Sequence, residues 1–166
     1  MDMTSESLLA THFATTALSS WKQVVAQIDT GLATLSDEDF QKEIAPGKNR
    51  IYYLIGHLAV VHDLMFPLLR IGERLHPELD EEFLAKPDRT FPDGLTAANL
   101  RKTWHEVNEK LGSAMAKLQP EEWLERHNSI SPEDFAKEPL RNRLAVLLSR
   151  TNHNSFHAGQ LRLVSK

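Results

Sequence analysis

The sequence predicts an all-α fold. Four long segments carry apolar residues at three- and four-residue steps, and no stretch shows the sustained alternation of a half-buried strand. The 166 residues, 41% of them hydrophobic, suit one compact domain over residues 1–166 with a single core.

The first segment runs from about Thr4 to Gly31, with Leu9, Phe13, Ala17, Trp21, Val24, Ile28 and Leu32 on one face. Gly31 suits a helix stop. The second, about Lys48 to Ile71, holds Ile51, Leu54, Ile55, Leu58, Val61, Met65, Leu68 and Leu69, an apolar arc wide enough for a central position. Pro67 should kink it, because proline cannot donate to the carbonyl of Asp63. The third, about Thr96 to Leu118, marks a narrow seam with Leu100, Trp104, Val107, Leu111, Ala114, Met115 and Leu118, and Gln119-Pro120 ends it. The fourth starts near Pro139, a residue suited to a first helical turn, and continues through Leu140, Leu144, Leu147, Leu148, Leu161 and Val164.

The connections are long and should carry structure of their own. "SDEDF" (Ser36 to Phe40) and "SPEDF" (Ser131 to Phe135) each place an acid three residues after a serine, and "PEEWLER" (Pro120 to Arg126) opens on proline. All three read as starts of short helices.

A net charge of -4 gives no electrostatic reason to expect nucleic acid or an anionic membrane as partner. With no cysteine, disulfides, thiolate metal sites and a cysteine nucleophile are excluded. The N-terminus lacks the basic start and apolar run of a signal peptide, and no other run approaches the roughly 18 apolar residues of a membrane span. A soluble cytoplasmic protein is the expectation.

Chemistry concentrates in "TNHNSFHAGQL", Thr151 to Leu161. His153 and His157 are four residues apart, so on a helix they share a face and can direct ring nitrogens to one point. A helical wheel places them on the shoulder of the apolar stripe beside Val146 and Arg150. Half-buried rings lining the core edge would look the same. A further ligand could come from "LIGHLAVVHDL" in the second segment, where His57 and His62 lie about 140° apart, so that one of them should face the fourth helix. Gly56 leaves room for a close approach, and Asp63 gives His62 the look of a surface or ion-paired residue.

Together, "GHL" and "HNSFHAGQL" resemble the DinB/YfiT-like metalloenzymes over nearly the whole chain. The resemblance implies a four-helix bundle of up-down-down-up order. It also implies a divalent metal held by His57, His153 and His157, with Gly159-Gln160 completing the pattern. No carboxylate stands beside the histidines of the fourth helix, so Asn152, Asn154 and backbone carbonyls are the candidates to orient the rings.

Three imidazoles on zinc or nickel leave a coordination position open, as catalytic sites do. The expected function is a metal-dependent hydrolase, or an S-transferase using an external low-molecular-weight thiol, acting on a small electrophilic substrate. The alternative is a non-enzymatic stress-response or interaction protein, a homodimer whose metal is structural. From Pro139 onward there is no acid, while Arg141, Arg143, Arg150, Arg162 and Lys166 are present. Arg150 is a candidate for binding a substrate carboxylate, although pairing with the acidic stretch Glu78 to Glu82 is the favoured expectation. Tyr53, one turn before His57, is a second substrate candidate; it, Trp104 and Phe156 also fit core packing.

Overall fold

The computed structural model describes residues 5–164; the expected helix start at Thr4 and the terminal Lys166 lie outside them. Among the described residues six α-helices form: α1 Ser5–Ala33, α2 Ile51–Asp63, α3 Met65–Leu69, α4 Ala97–Met115, α5 Pro132–Lys137 and α6 Arg143–Val164. There is no strand among the described residues, only two isolated bridges, Glu43 to Arg50 and Arg126 to Asn142. The all-α expectation holds.

α1 packs along α6, and α2 packs along α4. The apolar periodicity of each produces a shared core in which Ile28, Leu58, Trp104, Val107, Leu111 and Leu147 are fully buried. Each buried aliphatic side chain there contributes about 2 kcal/mol through the hydrophobic effect. Residue contacts give the pairwise directions. Gly31 meets Leu161, and Ala14 flanks the same cleft as Leu144, so α1 and α6 run the same way. Trp104 Nε1 donates to Asp29 at 2.6 Å while Trp21 lies over Gly112, so α1 and α4 run oppositely.

The long connections are structured, as their serine and proline signals predict. Ser36 and Asp39 cap each other reciprocally ahead of a 3-10 turn at Glu38–Gln41. Ser131 accepts from the Asp134 amide at the start of α5, and Glu122 caps the Gln119 amide before the turn Pro120–Leu124. Between α3 and α4 lie two further turns, Pro77–Leu79 and a π-helical turn at Glu81–Ala85.

Several boundaries differ from the sequence reading. The second segment is two helices, broken at Leu64, where the chain turns one residue past Asp63 because Pro67 cannot supply the next backbone donor. α6 starts at Arg143 rather than near Pro139; Asn142 accepts from the Ala145 amide, and Leu140 is exposed. Gly31 does not stop α1. A Cβ there would sit 2.8 Å from Leu161, so this glycine admits α6. Leu9, Phe13 and Leu148, expected on buried stripes, are exposed. The stretch Ile51–Leu69 has the length and mean hydropathy, 1.4, of a membrane span, yet it is mostly buried inside the bundle and holds His62 and Asp63 at its middle.

Those two residues are not at the surface. Asp63 is fully buried and accepts from Arg74 Nε and from the amides of Leu75 and His76, which anchors the chain after α3. His62 is also fully buried, between the rings of Trp21 and Trp104. Its Nδ1 lies 2.6 Å from Asn108 Oδ1, and its Nε2 lies 2.9 Å from Asn154 Oδ1. Asn108 Nδ2 donates to the Trp104 carbonyl, which fixes its oxygen toward His62 and makes Nδ1 the donor. Burial pushes the ring's pKa down to about 4, so it is neutral and Nε2 must accept. Asn154 Nδ2 is buried without a partner, and turning that amide over supplies the missing donor and satisfies both groups.

This neutral, buried ring predicts acid sensitivity. An unfolded histidine titrates near 6.5, so the unfolded chain takes up the proton first. Stability is therefore full above about pH 6.5 and falls as the pH drops toward 4. His62→Leu should cost about 2–3 kcal/mol by stranding the two asparagines, and should flatten that decline. Urea denaturation across pH 4 to 7 measures both, and an unchanged slope in the variant would contradict the assignment.

Candidate metal centre

His57 projects from the middle of α2, and His153 and His157 project from successive turns of α6. Their shoulder position is as the wheel predicts: Val146, Arg150, His153 and His157 are all half-buried, while Leu147, Thr151, Asn154 and Ala158 face inward. His57 meets His153 and His157, and His62, further along α2, meets Asn154. Both histidines of α2 thus reach α6, against the expectation of one. The arc of α2 is wide enough that His62 points through the interior and His57 along its edge.

The Nε2 atoms of His57 and His153 are 3.4 Å apart, and those of His153 and His157 are 3.1 Å apart. Tetrahedral bonds of about 2.1 Å would separate two ligand nitrogens by roughly 3.4 Å. One nitrogen from each ring lies within 4.8 Å of the others, so the three can hold a metal ion. The opposite nitrogens are engaged in two of the rings. His57 Nδ1 donates to the Phe83 carbonyl at 3.1 Å, and His157 Nδ1 donates to Gln160 Oε1 at 2.7 Å. With the proton held on Nδ1, each Nε2 presents a lone pair to the cluster, the tautomer that ligation needs. His153 Nδ1 is buried without a partner.

Burial lowers the proton affinity of all three rings. His153 is pushed down to about 4, first by desolvation and then by the neighbouring His157, His57 and Arg150. Desolvation likewise leads for His57 and His157, opposed by their hydrogen bonds to Phe83 and Gln160. Neutral imidazoles near pH 7 follow, which leaves the lone pairs free.

The ring of Phe83 explains Gly56. A Cβ at Gly56 would lie 2.2 Å from that ring, so only glycine lets the π-helical turn seat against α2. The approaching group is this turn rather than a neighbouring bundle helix. Tyr52 donates to Glu82 at 2.8 Å and Tyr53 donates to the Lys86 carbonyl at 2.7 Å, holding both ends of the turn. Tyr53 lies beside His57 with its ring nearly parallel, and its hydroxyl is engaged with the Lys86 carbonyl.

Arg150 corrects another expectation. The stretch Glu78 to Glu82 does not pair with it: Asp80 binds Arg74 at 2.5 Å, Glu82 accepts from Tyr52, and Glu78 lies against His76. Among the described residues Arg150 has no carboxylate partner, and burial depresses its pKa without opposition. Of the other aromatics, Trp104 is core, while Phe156 is exposed and stands edge-on to His157.

Two ring-orienting groups escape a reading by residue type. Gln160 is visible as the residue three after His157, one helical turn on, but its neighbours Asn152 and Asn154 look equally suitable. Asn154 serves His62, and Asn152 is exposed. The Phe83 carbonyl carries no side-chain signal at all.

The two glycines of the motifs should behave oppositely. Gly56→Ala should destabilise by about 1–3 kcal/mol through overpacking against Phe83. Gly159, which has nothing within 4 Å of its Cβ position, should accept alanine with no loss, or a gain of up to about 1 kcal/mol from helix propensity. Denaturant midpoints of the two variants test this, and equal effects would refute the role given to Phe83.

A family model described as the DinB superfamily matches residues 17–161, a span that includes all three histidines. No curated protein matches the chain. The chain belongs to the DinB superfamily.

Proposed function

We propose that the chain is a metal-dependent enzyme acting on a small electrophilic molecule, by hydrolysis or by transfer to a thiol supplied from outside. The observation that carries this reading is the convergence of three neutral imidazole nitrogens at ligand spacing. His57, His153 and His157 would hold the ion. Three protein ligands leave a further position for a reactant, unlike closed four-ligand structural sites. A divalent cation such as zinc or nickel supplies positive charge that favours the anionic, nucleophilic form of water or a thiol.

The chain's own residues set the conditions. Phe83 and Gln160 hold the rings of His57 and His157 in one tautomer. The half-buried rings exclude part of the bulk water, which strengthens any charge interaction between them. The absence of cysteine means that sulfur chemistry must draw on an external thiol.

A second reading, a homodimeric interaction protein, is favoured by the exposed Leu9 and Phe13 of α1 and Leu148 and Phe156 of α6. Its metal would tie α2 to α6 without turnover.

Elemental analysis of protein purified without an affinity tag should give about one divalent ion per chain, and His157→Ala should lose most of it. Equal metal content in the two would remove the proposal. Chelation separates the readings: a large drop in melting temperature without activity toward esters, amides or thiol acceptors supports a structural metal. Sedimentation at micromolar concentration reports the dimer.

A further inference from the structure

A cavity of about 370 Å³ opens beside the histidine cluster, between the end of α3, residues 127–129 and the first two turns of α6. Its apolar lining includes Leu68 and Val146, and its polar side chains are His127, Ser129, Arg141, Ser149 and Arg150. No acid is among its lining residues. Arg150 both lines the cavity and stands one helical turn before His153, so it joins the two spaces. Among the described residues its guanidinium has no carboxylate partner, and its buried Nε has no hydrogen-bond partner. A buried donor left without a partner is costly until a ligand or solvent compensates it.

The neighbouring groups are also donors. His127 Nδ1 accepts from the Ser129 amide at 3.1 Å, so the neutral ring carries its proton on Nε2. Arg141 is exposed at the rim and has only a 3.8 Å pairing with Glu138. The other arginine near the start of α6, Arg143, is already engaged with Glu125 at 3.3 Å, which sets Arg150 apart. The size suits a small organic molecule.

We propose that this cavity binds an oxyanion, the carboxylate or phosphate of the small molecule that reacts at the histidine cluster, with Arg150 as its principal partner. The assignment to a reactant rests on the metal-dependent reading above; the anion site itself does not. A guanidinium fork matches both carboxylate and phosphate, and the apolar lining holds the molecule's carbon frame.

The test is calorimetric titration of inorganic phosphate and, separately, of succinate into the full chain after removal of metal by chelation. At least one should bind with a dissociation constant of about 1 mM or lower, and comparison of the two identifies the class of anion. Arg150→Met should weaken that binding about tenfold or more, and Arg150→Lys by less. Arg141→Met, at an exposed position, should weaken it severalfold and serves if the Arg150 variants do not fold. The metal content of His157→Ala, measured separately, reports on the metal reading alone. Absence of binding by both anions, or equal affinity in wild type and the arginine variants, would overturn the proposal.

Discussion

The hydrogen bond from His57 Nδ1 to the Phe83 carbonyl depends on a contact made elsewhere, the seating of the Phe83 ring on the bare backbone of Gly56. Without that approach the π-helical turn would stand off from α2, and the carbonyl would move away from the ring it orients. Tyr52 and Tyr53 hold the flanks of the same turn. Arg50, at the start of α2, binds Asp88 at 2.6 Å and Asp93 at 2.9 Å, tying down the chain that follows. A long connection thus becomes a wall of the site, because α2 and the residue that precedes it supply a gap, two hydroxyls and a guanidinium.

α6 divides its polar residues between two tasks by small differences in angle. His153 and His157 turn to the edge shared with α2, and Asn154 turns inward to the buried His62. The inward contact links α2, α4 and α6 through the chain of Asn108, His62 and Asn154. Such a network tolerates little displacement, since any slip of α6 strands buried donors and acceptors. The same register that satisfies His62 sets His153 and His157 opposite His57. Polar satisfaction in the core and ligand spacing at its edge are therefore one constraint.

Charge is distributed to match. In the connection after α3, Asp80 is engaged with Arg74, Glu82 with Tyr52 and the Gly94 amide, and Asp88 and Asp93 with Arg50, while Arg143 at the start of α6 is engaged with Glu122 and Glu125. Arg150 is left without such a partner beside rings that burial keeps neutral. The local field around the histidines is thus positive before any cation is present, which suits anionic reactants and disfavours protonation of the rings.

The amino-acid sequence determined the helical class, the four long elements and the short capped turns. These depend on periodicity and on local serine, proline and acidic signals. It also determined that His153 and His157 share a face, since helical geometry places residues four apart together. What only the tertiary structure decided is which distant groups meet. A wheel cannot show that α2 is broad enough for both His57 and His62 to reach α6, that Asp63 is buried, or that Arg150 lacks the acidic partner that composition offered. Nor can it show that Leu9 and Phe13 remain exposed or that Gly31 serves packing rather than termination. The physical reason is that each of these follows from how helices are placed against one another, and that placement is fixed by the whole set of contacts rather than by any segment's own pattern.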